Sequence, residues 1–120
     1  MQSIAAASTC SPAPRTLKFK AAEKQVCQFL EKRGWRDLRH DVRLFHVQVD
    51  ILARSPLGVL SVIEVKMRTS SRVARLTARQ ALRLMRVTEA LSLREPVELW
   101  LAFVEGKKVR LLPVDALTEF

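Results

Sequence analysis

Tyrosine is absent from this 120-residue chain, and aromatic side chains make up only 6% of it. A protein that binds single strands by stacking bases on aromatic platforms is therefore disfavoured. No apolar run reaches the ~18 residues needed to cross a bilayer, which excludes a helical membrane protein. Cysteine is limited to Cys10 and Cys27. That is too little for a disulfide framework, and the pair lacks the spacing of a zinc site. A reducing cytoplasm is the expected compartment. The first fourteen residues hold no Lys or Arg, so they lack both the basic start of a secretory signal and the early arginines of a mitochondrial one. Pro12 and Pro14 oppose helix there, and residues 1–15 are expected to form a disordered tail ahead of a single domain at 16–120.

What the chain does have is charge of one sign. Lys and Arg number 21 against 12 Asp and Glu, a formal net charge of +9, and such an excess commonly serves polyanions. The surplus is local. Residues 66–86 contain seven basic residues and no acidic one, whereas the rest of the chain holds fourteen basic and twelve acidic residues.

Hydrophobic spacing divides the chain into elements. Between Leu17 and Arg33, Phe19, Ala22, Val26, Phe29 and Leu30 recur at steps of three and four, the face of an amphipathic helix stopped by Gly34. Val42 and Leu44, then Val47, Val49 and Ile51, alternate as one or two strands. After the turn Ser55-Pro56-Leu57-Gly58, the run Val59–Lys66 is β-branched and nearly all apolar, which suits a central strand covered on both faces. Residues 74–93 return to helix, with Ala81, Leu84, Met85, Val87, Thr88 and Leu91 expected on the buried side and Arg79, Arg83 and Arg86 opposite. Val97–Val104 and Lys108–Leu112 flank Glu105-Gly106 as a hairpin. The order of elements implies an α/β sandwich with a central mixed sheet flanked by helices.

Two charges at the end of the apolar strand stand out. Glu64 and Lys66 are two residues apart, so both side chains point to one face. Asp50 lies on the preceding strand, and a hairpin at Pro56–Gly58 would bring the two carboxylates together near its open end. Paired carboxylates of this kind hold Mg²⁺ or Mn²⁺ while leaving positions for water and phosphate, and a lysine beside them stabilises phosphate charge or orients the water. A Glu-x-Lys tripeptide alone arises by chance in roughly four of ten chains of this length. The signal therefore lies in the combination with Asp50 and with an acid on the helix before both. A surface ion pair between Glu64 and Lys66, where the strand meets solvent, is the alternative reading of the same residues.

Asp50, thirteen residues, then Glu64-Val65-Lys66 resembles the PD-(D/E)XK nuclease superfamily. Ala22-Glu23 with Phe29-Leu30 and Gly34-Trp35, then Val42-Arg43 and Gln48-Val49-Asp50-Ile51-Leu52, then Ile63–Arg68, and finally Leu76–Gln80 with Leu84, resemble successive blocks of the YraN-like family. The second helix and the strand Pro96–Val104 are also similar to archaeal-type Holliday junction resolvases. The resemblance spans roughly residues 20–117 and implies a restriction-endonuclease-like fold and Mg²⁺- or Mn²⁺-dependent hydrolysis of DNA. Residue by residue, it implies Asp50 and Glu64 as metal ligands, Lys66 as the catalytic lysine, Glu23 as an acid assisting the metal and Gln80 as a residue supporting the site or touching the scissile strand. The sequence departs from the family at Val47-Gln48, where Gly-Glu is usual, and at Ala22, where glycine is usual. His40, His46, Trp35 and Trp100 receive no catalytic role; the tryptophans read as core or dimer contacts.

Arg72, Arg75, Arg79, Arg83 and Arg86 would share an arc of about 80° on a continuous helix. A solvated helix face usually mixes signs at i, i+4, because like charges there repel by ~0.2–0.5 kcal/mol per pair. No acid offsets these arginines before Glu89. Guanidinium forks match phosphate oxygens, so these residues together with Arg68 read as a surface for the nucleic-acid backbone, which positions a substrate without reading its sequence. Structure-selective cleavage of branched or junction DNA is the expectation, with RNA open as a substrate, no membrane partner, and a homodimer supplying two cutting sites. A non-enzymatic nucleic-acid-binding module with a degenerate nuclease fold is the alternative.

Overall fold

The computed structural model describes residues 17–67 and 77–114. The expected N-terminal tail lies outside the described residues, as do Arg68, Arg72 and Arg75. Helix α1 spans Leu17–Lys32, followed by strands β1 Arg36–Leu44, β2 Val47–Arg54 and β3 Leu60–Met67, helix α2 Ala78–Ser92, and strands β4 Val97–Glu105 and β5 Lys108–Pro113.

Each boundary has a local cause. Gly34 adopts φ 89°, the left-handed conformation that ends a helix at no steric cost. Its N–H donates to Glu31 O at 3.2 Å and that of Trp35 donates to Leu30 O at 3.1 Å, the paired bonds of a Schellman stop. Phe45 and His46 form the two-residue turn between Leu44 and its partner Val47. Gly58, at φ 86°, closes the turn between β2 and β3. Thr77 caps α2: its side chain accepts from Gln80 N, and the Gln80 side chain reaches back to the Thr77 N–H, a capping box.

The strands form one five-stranded sheet in the order β1-β2-β3-β4-β5. All neighbours are antiparallel except β3 and β4, whose parallel pairing needs the long crossover that carries α2. The apolar run read as a central strand is β3, in the middle of this mixed sheet. Helix α1 covers one face, burying Ala22, Val26 and Leu30 against Ile51, Ile63, Val65 and Ala102. Helix α2 covers the other, with Ala81, Leu84 and Val87 against Val49, Leu52, Val62 and Leu101. Trp35 and Trp100 meet edge to face at 5.8 Å, packed on the α1 side.

One core assignment differs from expectation. Met85 is 45% exposed. At 100° per residue it lies on the rim of the buried arc set by Ala81, Leu84 and Val87.

The pairing of the sheet changes beside one residue. The β2–β3 ladder runs from Arg54↔Leu60 to Ile51↔Ile63; the next rung in that register would set Asp50 opposite Glu64. The β1–β2 ladder passes from His40↔Ile51 to Val42↔Val49, skipping the rung of Asp41 and Asp50. Asp41 takes φ 55°, a conformation that aspartate tolerates better than most residues. The β2–β3 ladder thus ends beside Asp50, while β2 stays paired with β1 through Val49, Gln48 and Val47.

Candidate functional site

Where β2 parts from β3, the carboxylate of Asp50 replaces the backbone. Asp50 is buried, and its Oδ2 accepts a hydrogen bond from the Val65 N–H at 2.8 Å. The N–H lies between Glu64 and Lys66, so this bond fixes Asp50 against the segment that carries the other two charges. Period-two geometry points Glu64 and Lys66 toward α2. Their side chains are only 13% and 14% exposed, and Lys66 Nζ is 3.7 Å from Glu64 Oε2. A surface ion pair in open solvent is not what these residues form. The ammonium also donates to Gln80 Oε1 at 2.7 Å.

These groups line a cleft of about 280 Å³ between the sheet and the start of α2. Asp50, Glu64, Lys66 and Gln80 all face it, together with Gln48, Arg83 and the apolar walls Val47 and Leu84. Residues between positions 47 and 84 thus converge on one concavity. Two carboxylates beside a backbone peptide are hard oxygen donors of the kind that suit Mg²⁺ or Mn²⁺, and the polar lining leaves room for water and a phosphate.

Glu23 is placed differently from the other expected residues. It is 2% exposed on α1, against the usual preference of a helix glutamate for solvent. Its carboxylate groups with His40 and Asp41, the three donor atoms lying within 4.8 Å of one another. His40 Nδ1 is 3.7 Å from Asp41 Oδ2, and Asp41 Oδ1 accepts from Gln48 Nε2 at 3.1 Å. Gln48 therefore ties this second cluster to the cleft. The sequence by itself assigned no role to His40, Asp41 or Gln48. The available signal was a His-Asp pair interrupting an otherwise alternating strand, and it marks a fold irregularity only once the register is known.

The α1 surroundings shape one further group. Burial, followed by the charges of Glu23 and Glu31, pushes the Cys27 thiol from 9.0 up to about 11, which removes it as a nucleophile near neutral pH. Of the arginine stripe, Arg79, Arg83 and Arg86 are exposed on the outer side of α2, as expected. Arg83 additionally lines the cleft.

Comparison with known proteins agrees with this architecture. No curated protein matches the sequence. The structure of Hjc, a Holliday junction resolvase from the archaeal hyperthermophile Archaeoglobus fulgidus, is similar with a TM-score of 0.64 at 24% identity, covering 82% of this chain and 74% of that one. That likeness establishes the fold, the α/β arrangement with a mixed sheet expected from the PD-(D/E)XK pattern. The model of the uncharacterised protein family UPF0102 matches residues 22–112, from the first helix through the last strand. The chain belongs to this family, the YraN-like one whose blocks the sequence resembles.

Proposed function

We propose that this protein is a metal-dependent endonuclease that hydrolyses DNA phosphodiester bonds and selects branched or junction structures. The observation that carries the reading is the convergence of Asp50, Glu64 and Lys66 on one cleft. Similarity in fold to a Holliday junction resolvase supports the choice of branched DNA.

Asp50 and Glu64 would hold Mg²⁺ or Mn²⁺, which when bound polarises the phosphoryl oxygen and lowers the pKa of a water ligand. The remaining work falls to the chain's own residues. The Val65 N–H holds Asp50 in one orientation, so the carboxylate needs little reorganisation at the moment of reaction. Lys66, held by Gln80, stands beside the position of the scissile phosphate and stabilises charge that develops there. Glu23 contributes from the adjoining cluster, through Asp41 and Gln48. Arg79, Arg83 and Arg86, with Arg68, Arg72 and Arg75, clamp flanking phosphates; their guanidinium planes read the backbone and not the bases. Two copies would cut the two strands of a junction.

A screen of flap, junction, duplex and single-stranded DNA with Mg²⁺ or Mn²⁺ tests this. Cleavage is expected to favour branched substrates and to fall by at least two orders of magnitude in Lys66→Ala. Undiminished cleavage by the variant would remove the chemistry assigned to this cleft. An RNA junction in the same screen decides between the two nucleic acids.

The rival reading, a binding module without turnover, is favoured by one observation. Gln48, at a position where the family usually carries glutamate, spends its amide on Asp41. Calorimetry separates the two readings: an enzyme binds Mn²⁺ in a manner that depends on Asp50 and Glu64, and a relic of the fold does not.

A further inference from the structure

We propose that Thr77, on the surface ahead of α2, is a positioning residue for the ammonium of Lys66, acting through Gln80; the inference rests on the cleft being catalytic. A capping box is normally a closed local device, in which the side chain of the third helical residue returns to the backbone N–H of the cap. Here both bonds of the box are made, and its glutamine oxygen also takes a donor from outside the helix. Gln80 Oε1 accepts from the Thr77 N–H at 3.1 Å and from Lys66 Nζ at 2.7 Å. A carbonyl oxygen has two lone pairs, and these two donors fill them. One donor comes from the helix start and the other from the centre of the sheet.

The consequence is mechanical. A lysine side chain has four torsions and considerable rotamer entropy, and Glu64 at 3.7 Å is too far to fix it by a hydrogen bond. The position of the ammonium is therefore set by Gln80 Oε1. That oxygen is itself set by the cap, because Thr77 Oγ1 accepts from Gln80 N at 3.1 Å and holds the first turn closed. Glutamine at this place has a second merit. Either Glu or Gln completes a capping box, but glutamate would bring a third carboxylate to a cleft that already holds Asp50 and Glu64. The neutral amide positions the lysine without competing for its charge.

The test uses the full chain and reads Lys66 directly. Its ammonium ¹H–¹⁵N correlation, assigned by its loss in Lys66→Arg, should be protected from solvent exchange in the wild type and in Thr77→Ser. It should broaden to the exchange limit in Thr77→Ala and in Gln80→Met. The latter keeps the Thr77 hydroxyl cap, so it covers the case in which Thr77→Ala weakens the helix itself. In single-turnover cleavage Thr77→Ala should lower kcat about tenfold with KM within about twofold, since a misplacement of ~1 Å can cost up to 10²-fold, and Thr77→Ser should restore the rate. An unaltered Lys66 correlation in Thr77→Ala and Gln80→Met would overturn the inference, whatever the activity. If the wild type cleaves no substrate but the correlation responds as described, the positional link stands and the nuclease reading falls.

Discussion

Asp50 Oδ2 and the backbone N–H of Val65 are joined by a 2.8 Å hydrogen bond at the point where the ladder between β2 and β3 has ended. A side chain thus satisfies a donor that the neighbouring strand no longer reaches. Val65 is almost wholly buried, and a buried N–H without a partner is costly. Structure and proposed chemistry therefore share one carboxylate.

That sharing separates two substitutions. Asp50→Ala should lose about 1–3 kcal/mol of stability in urea denaturation, the cost of stranding a buried donor, and should also abolish Mn²⁺ binding in calorimetry. Asp50→Asn keeps an oxygen for the Val65 N–H. It should retain most of the stability while still losing the metal. Equal destabilisation by both would mean that the hydrogen bond is not what holds this part of β3.

The arginines make a salt-dependent prediction. Arg83→Gln combined with Arg86→Gln should reduce the slope of log K against log salt by about two for a duplex or junction, one for each phosphate that is no longer neutralised. Measurement is by fluorescence anisotropy across a salt series. An unchanged slope would assign these side chains to solvent.

Cys27 predicts behaviour with pH. With its pKa pushed from 9.0 to about 11 by burial and by Glu23 and Glu31, the folded chain keeps the thiol proton after the unfolded chain has released it. The sign is then fixed: no effect below the ordinary value, and a progressive loss of stability as pH rises from 9.0 toward about 11. The alkaline fall in melting temperature should be shallower in Cys27→Ala than in the wild type. At pH 8 the thiolate fraction would be about 0.1%, so iodoacetamide should modify Cys27 far more slowly than an unperturbed thiol.

The β1–β2 turn offers a stabilising change. Phe45 and His46 both hold positive φ, 50° and 65°, in the two-residue connection between Leu44 and Val47. Left-handed backbone costs about 1–2 kcal/mol for an ordinary L-residue, and Asn-Gly is the pair best suited to such a turn. The double substitution Phe45→Asn, His46→Gly should raise stability by about 1–2 kcal/mol in urea denaturation. No change would mean that packing of the exposed Phe45 offsets the strain.

Much of the molecule was legible because its causes are local. Gly34 ends α1, Gly58 closes the turn into β3, and the two-residue spacing of Glu64 and Lys66 puts both on one face whatever surrounds them. The buried positions Ala22, Val26 and Leu30 on α1 and Ala81, Leu84 and Val87 on α2 followed from period alone, whereas Met85, on the rim of the arc, is exposed. Glu23 illustrates the opposite case. Its helical periodicity is compatible with solvent, yet it is buried beside His40 and Asp41, since the docking of α1 on the sheet determines its surroundings.

The amino-acid order alone was sufficient for the element sequence, the cationic stretch 66–86 and the placing of Asp50 and Glu64 on neighbouring strands, because each depends on short-range geometry or on charge. Tertiary structure decided the rest: the transfer of Asp50 onto the Val65 N–H, the separate cluster at Glu23, and the use of a helix cap to hold Lys66. These arrangements depend on where a ladder ends and how helices settle on a sheet. Packing over the whole chain sets those positions, and no stretch of sequence encodes them by itself.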